Sequence, residues 1–182
     1  VIGKGMNEMM GGHLPATLKK ESILVLDLKG VIMDGRKFLK DLRKYRDDKE
    51  IKGILVRIDS PGGVVGPSQE IYEELKRVRE ELNKPVVVAI SGLCASGGFY
   101  SAVAADWIVT TPGAIVGSIG VIMEFANLEG LYDWAKVKRY SLTTGKFKDT
   151  GAEYRKMNDE ERSYLQSMIN EVLGQFVTAV AE

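Results

Sequence analysis

Apolar residues along this chain fall into short, branched runs alternating with stretches in which they recur every three or four positions. Ile23 to Leu28, Gly53 to Ile58 and Val86 to Ile90 have the length and β-branched content of buried strands. Between them, Phe38, Leu39, Leu42 and Tyr45 predict one amphipathic helix, and Ile71, Leu75, Val78 and Leu82 a second. The second helix is broken by Asn83-Lys84-Pro85. Cys94-Ala95-Ser96-Gly97-Gly98 then leads into a small-residue helix over Phe99 to Ala105, closed by Asp106. Strand-like Trp107 to Thr110, a Pro112-Gly113 turn and strand-like Ile115 to Met123 follow. The pattern next predicts a short helix over Leu128 to Ala135 and a strand over Val137 to Leu142. Asn158 is placed to cap a last helix, with Glu161 reaching back to it and Leu165, Ile169, Val172, Phe176 and Val180 on its apolar face. Strands alternating with helices imply an α/β layered domain, a mostly parallel sheet flanked by helices.

The 182 residues suit one domain with a substantial core, expected over residues 23–182 behind a loose lead-in at 1–22. No apolar run approaches the ~20 residues that span a bilayer. Because the chain starts at Val1, a membrane anchor is expected to have been removed. The helix pattern still running at Glu182 implies that the C-terminal part of the fold is incomplete. Formal net charge is +0, and no basic stripe with interleaved aromatics occurs, so nothing points to nucleic acid. A lone cysteine, Cys94, cannot form an intrachain disulfide.

The scarcity of certain residues narrows the chemistry. One Cys and one His cannot supply the clustered ligands of a zinc site. Gly62-Gly63-Val64-Val65-Gly66 lies between a strand and a helix, yet lacks the Lys-Ser/Thr ending of a phosphate loop and the spacing of a dinucleotide fingerprint. A His-based triad would have to recruit His13, in a segment without sustained periodicity. A hydroxyl activated by lysine remains. At a reference pKa of ~10.4, about one exposed lysine in 2,500 is neutral at pH 7. A lysine base therefore needs a niche poor in water and carboxylates.

Ser96 follows a strand and a tight turn at a helix start, where free N–H groups favour developing negative charge. It reads either as a nucleophile or as an N-cap above a close helix–sheet contact. Gly62 and Gly63 read as oxyanion donors or as an ordinary turn, and Gly117 to Val121 as a close-approach segment or a bulged strand. Among the lysines, Lys136, Lys146 and Lys148 are not separable on local grounds; each reads equally as a solvated charge.

Taken in order, Asp59-Ser60-Pro61-Gly62-Gly63, Ala95-Ser96-Gly97-Gly98-Phe99-Tyr100, Ala105-Asp106, Gly117-Ser118-Ile119-Gly120-Val121 and Gly145-Lys146-Phe147-Lys148-Asp149 resemble the signal peptide peptidase A family. The resemblance covers Ile23 to Asp149 closely and the last helix loosely. It implies the fold shared by the Clp protease proteolytic subunit and the crotonases. It also implies a serine endopeptidase with a Ser-Lys dyad: Ser96 as nucleophile, Lys148 as general base, Ser118 orienting that lysine, and Gly63 with Gly97 as the oxyanion hole. No cofactor is implied. The expected substrates are signal peptide remnants, and the expected form is a dome-shaped homo-oligomer, membrane-anchored with its catalytic domain on the extracytoplasmic side. A protease of one membrane-associated protein (stomatin-type), a crotonase-like acyl-coenzyme A enzyme and a catalytically idle scaffold are the rival readings. The family's later Thr-Gly and Gly-Leu-Val-Asp segment has no match here, and Phe99 stands where Tyr is frequent.

Overall fold

The computed structural model describes residues 21–182, so His13 and nearly all of the expected lead-in lie outside the described residues. The chain divides into two compact units, one running to Ile119 and including Phe176–Glu182, the other Gly120–Gln175.

The first unit is built on strands β1 (Ser22–Lys29), β2 (Ile51–Ser60), β3 (Val86–Ala95), β4 (Trp107–Thr110) and β5 (Ile115–Gly117). Helices α1 (Arg36–Tyr45), α2 (Val65–Glu80) and α3 (Gly97–Ala102) connect them. The sheet order is β1-β2-β3-β4, with β5 pairing the far end of β3, and every pairing is parallel. In register, Leu26 lies opposite Val56, Val56 opposite Val88, and Val88 opposite Ile108.

Side chains alternate across a strand, so the branched runs send every second residue to one face. Leu24, Leu26 and Leu28, then Ile54, Val56 and Ile58, then Val86, Val88 and Ile90 are all buried. They share a core with Phe38, Leu39 and Leu42 of α1 and Ile71, Leu75 and Val78 of α2. Each such side chain contributes roughly 1.5–3 kcal/mol through removal from water. The opposite face is more polar: Arg57 donates to both carboxylate oxygens of Asp27, at 2.7 and 2.8 Å. The sheet edge formed by β4 is exposed along its length, Trp107 at 61%.

Two expected strands are corrected. The run from Ile115 pairs only as far as Gly117, because Gly117 (φ +111°) and Ser118 (φ +54°) both enter the left-handed region and turn the chain away. Val137 to Leu142 forms no strand. Its first amide is spent closing helix α4 (Glu129–Trp134): Lys136 sits at φ +57°, and the N–H of Val137 donates back to the carbonyl of Tyr132 at 2.9 Å.

Helix α5 (Asp159–Ala181) begins in the second unit and ends in the first. Its start is a reciprocal capping box. The Glu161 N–H donates to Asn158 Oδ1 at 2.8 Å, and the Asn158 N–H donates to Glu161 Oε2 at 2.9 Å. In the first unit its last turns bury Phe176 and Ala179, whereas Val180 stays 37% exposed. Within the second unit, Met123, Phe125, Met157, Leu165 and Ile169 line a cavity of about 450 Å³.

Candidate active site

Ser96 is the single residue between β3 and α3. Its backbone sits at φ 49°, ψ −123°, a conformation an L-residue adopts at a cost of order 1–3 kcal/mol. A serine on such a strained strand-to-helix turn presents its hydroxyl instead of folding it over the helix start. Ser96 occupies the N-cap position of α3, but its hydroxyl makes no capping bond there. Its carbonyl accepts the first helical bond, from the Tyr100 N–H at 2.9 Å, and its own N–H donates to the Gly117 carbonyl at 2.8 Å.

The turn after β2 is pressed against this elbow. Gly62 lies at φ +96°, and a Cβ built there would stand 2.7 Å from the Ala95 oxygen and the Gly97 nitrogen. Only glycine fits. A Cβ on Gly63 would lie 2.2 Å from the Ile32 oxygen, and one on Gly97 would lie 3.3 Å from the Gly63 nitrogen. The turn is pinned from below. Ser60 Oγ accepts from the Gly62 N–H at 3.0 Å and donates to the Gly30 oxygen at 2.7 Å; Ile32 N–H reaches the Gly62 oxygen at 2.9 Å. The N–H groups of Gly63 and Gly97 make no hydrogen bond among the described residues, so both stay free beside Ser96.

Buried hydroxyls hold α3 in place. Ser101 Oγ donates toward the carbonyls of Ser68 (3.1 Å) and Gly97 (3.0 Å), while Ser68 Oγ donates to Val64 O at 2.9 Å. Tyr100 packs edge-on against Tyr72 and tilted against Phe176. Asp106 closes the turn into β4, its carboxylate accepting the Val86 N–H at 2.8 Å. That gives Ala105-Asp106 a structural role. Cys94, two residues before Ser96, is fully buried, and burial pushes its thiol up to about 12. It is no rival nucleophile.

The first unit thus brings together Gly63, Ser96, Gly97 and, one residue beyond the carbonyl that holds the Ser96 amide, Ser118. Ser118 is exposed. Lys148 belongs to the second unit, in a run of turns opened by Gly145 (φ +92°), and its side chain is exposed. Beside it, Phe147 stacks on Tyr164 with ring centroids 4.6 Å apart. Lys146 is ion-paired with Glu160.

Sequence reasoning missed Arg155. Its Nε donates to Asp149 Oδ2 at 3.1 Å and its Nη2 to Oδ1 at 3.0 Å, while Nη1 donates to Glu161 Oε2 at 2.9 Å. The Arg155 hydrogen bonds hold the Asp149 carboxyl below the usual carboxylate range and bring Glu161 down to about 2. The signal was the equal spacing, Asp149 and Glu161 each standing six positions from Arg155.

Residues 79–182, more than half of the chain, match the model of peptidase family S49. The chain belongs to peptidase family S49. A provisionally named protease of Synechocystis sp. is 39% identical over 166 residues, covering 91% of this chain and 59% of that protein. A protein of Enterococcus faecium, provisionally named signal peptide peptidase SppA, is 31% identical over 191 residues, covering 98% of this chain and 55% of its own length. The chain therefore spans somewhat over half the length of these S49 relatives. Among solved structures, the membrane-bound stomatin-specific protease 1510-N aligns at TM-score 0.50 and 21% identity, covering 60% of this chain and 53% of that one. That likeness concerns the fold.

Proposed function

We propose that this S49 chain carries the catalytic residues of a serine endopeptidase. Ser96 is the nucleophile, Lys148 the general base, Ser118 the hydroxyl that orients the base, and the N–H groups of Gly63 and Gly97 form the oxyanion hole. One observation carries the reading: a serine held at φ 49°, ψ −123° between a strand and a helix, with two unengaged glycine amides beside it. A merely structural N-cap needs neither the strain nor the free donors.

In the reaction, neutral Lys148 Nζ takes the Ser96 Oγ proton as Oγ adds to the scissile carbonyl. The carbonyl oxygen becomes an oxyanion and accepts hydrogen bonds from Gly63 and Gly97, each donor worth about 3 kcal/mol in such a transition state. The lysine proton passes to the departing amine, the C–N bond breaks, and an ester to Ser96 remains. Water, deprotonated by the same lysine, then releases the acid and regenerates the serine.

A neutral lysine needs dry surroundings, and the exposed Lys148 side chain does not obtain them from its own unit. Bound peptide and assembly would supply them. Ile122, Trp134, Tyr140 and Leu142 stand 75–95% exposed in the second unit, which supports burial against a second copy in a homo-oligomer. Among the described residues no helix is long and apolar enough to cross a membrane. The proposed anchorage, with the catalytic domain on the extracytoplasmic side, rests on the resemblance to signal peptide peptidases.

The proposed substrates are apolar signal peptide remnants after their release. A synthetic signal peptide should be cut by the native chain and left intact by Ser96→Ala. Cleavage of a folded membrane-associated protein at one site, with signal peptides untouched, would replace this substrate class with the stomatin-type reading.

A further inference from the structure

A base lysine works only when nothing nearby holds it as an ammonium, yet the residue next to Lys148 is a carboxylate. An opposite charge within about 4–6 Å favours the charged form by 1–3 pH units. Asp149, the next residue along the chain, is therefore a hazard to the chemistry proposed above wherever its carboxylate can reach that amine, unless its charge is taken up elsewhere.

We infer that Arg155 is a positioning residue for that base: its guanidinium claims both oxygens of Asp149 and keeps that carboxylate from pairing with Lys148. This rests on the reading of Lys148 as base. Two nitrogens of Arg155 make three contacts with Asp149: Nε reaches Oδ2, and Nη2 reaches both Oδ1 and the backbone oxygen, the last at 3.3 Å. The fork geometry is the one in which arginine binds a carboxylate most strongly. Tyr154 adds its hydroxyl to Oδ2 at 3.2 Å and is itself hydrogen-bonded to Ser141 at 2.7 Å.

Arg155 is fixed from behind. Glu161 accepts from both terminal nitrogens, and its own position is set by the capping box at the start of α5. The chain of contacts runs from the helix start through Glu161 and Arg155 to Asp149, and so to the backbone of the turn that carries Lys148. Other charges of the second unit have partners of their own or are cationic. Lys146 is paired with Glu160, Arg139 with Glu153, and Lys156 and Arg162 line the neighbouring cavity. Asp149 is thus the carboxylate adjacent to Lys148 in sequence, and Arg155 is what occupies it.

The test is the pH dependence of Ser96 acylation by a fluorophosphonate probe, followed by intact mass on the full chain. With Arg155→Gln, Asp149 is released, the ammonium is favoured, and the midpoint of the alkaline rise should move up by about one pH unit. Below that midpoint the rate should fall about tenfold. Arg155→Lys keeps a charge but loses the fork, so a smaller rise in the same direction is expected. That variant decides the matter should Arg155→Gln fail to fold. Adding Asp149→Asn to Arg155→Gln should return the midpoint to its native value. A merely structural Arg155 would lower the rate at every pH with the midpoint unmoved in both variants, and that result overturns the inference. Lys148→Ala separates the two claims. If it acylates as fast as the native chain, the base assignment itself fails. If it is inert while the Arg155 midpoints stay put, only the role of Arg155 fails.

Discussion

The N–H of Ser96 donates to the carbonyl oxygen of Gly117 at 2.8 Å, so the serine's own amide is already engaged. The proposed oxyanion donors are therefore its neighbours, Gly97 and Gly63, whose amides make no hydrogen bond among the described residues. The same bond holds the segment bearing Ser118 against the turn bearing Ser96.

Gly97 has little room. A Cβ at that position would lie 2.3 Å from Ser68 Oγ. Gly97→Ala should therefore displace the elbow and lower the probe acylation rate by about ten- to a hundred-fold, since misplacement near 1 Å costs on that scale. Gly97→Ala with Ser68→Ala removes the nearest obstacle and should recover part of the loss. Acylation rates of the two variants against the native chain check this; equal rates for native and Gly97→Ala would contradict it.

Gly62 tests the frame instead of the chemistry. Its φ of +96° and the 2.7 Å approach to backbone atoms of the elbow leave an alanine no flexible neighbour to push aside. Gly62→Ala should destabilise by about 2 kcal/mol or more. For a chain of this size the Tm should fall by roughly 5 °C or more, read by thermal denaturation.

Cys94 should be silent. Its fully buried thiol, pushed up to about 12 by desolvation, should resist iodoacetamide at pH 8 in the native state and react once the chain is unfolded. Rapid native-state alkylation would show that the end of β3 is open.

Acid should loosen the Arg155 network before the sheet. Glu161 and Asp149 are both lowered in the folded state, so their stabilisation is present above the ordinary carboxylate range. It is lost as pH falls from about 4.5 toward about 2. Amide exchange at the start of α5 should quicken over that window, and Glu161→Gln should largely remove the effect. Equal acid sensitivity in native and variant chains would assign it to other groups.

Much of the first unit was legible because burial and sequence period agree there. β1, β2 and β3 follow from branched runs that occupy one packed face, and the Asn158–Glu161 box follows from capping chemistry alone. The glycines around Ser96 were visible as a pattern but not as a need. Nothing in Ser-Gly-Gly states that serine takes φ 49°, which arises only when β2's turn presses on β3's end. Val137 to Leu142 misled because a strand-like period carries no information about a partner strand. The even spacing of Asp149 and Glu161 about Arg155 was too weak a signal, since an arginine among charged residues reads as solvated until two carboxylates are seen to converge on it.

The central claim is that one alcohol in this chain is made nucleophilic by one amine. Its most direct test is intact-mass analysis of the native, Ser96→Ala and Lys148→Ala chains after fluorophosphonate treatment, with the modified residue mapped. The account predicts one adduct per native chain, located on Ser96, and none on either variant. An adduct mapped to another residue, or an undiminished one on Lys148→Ala, would contradict it.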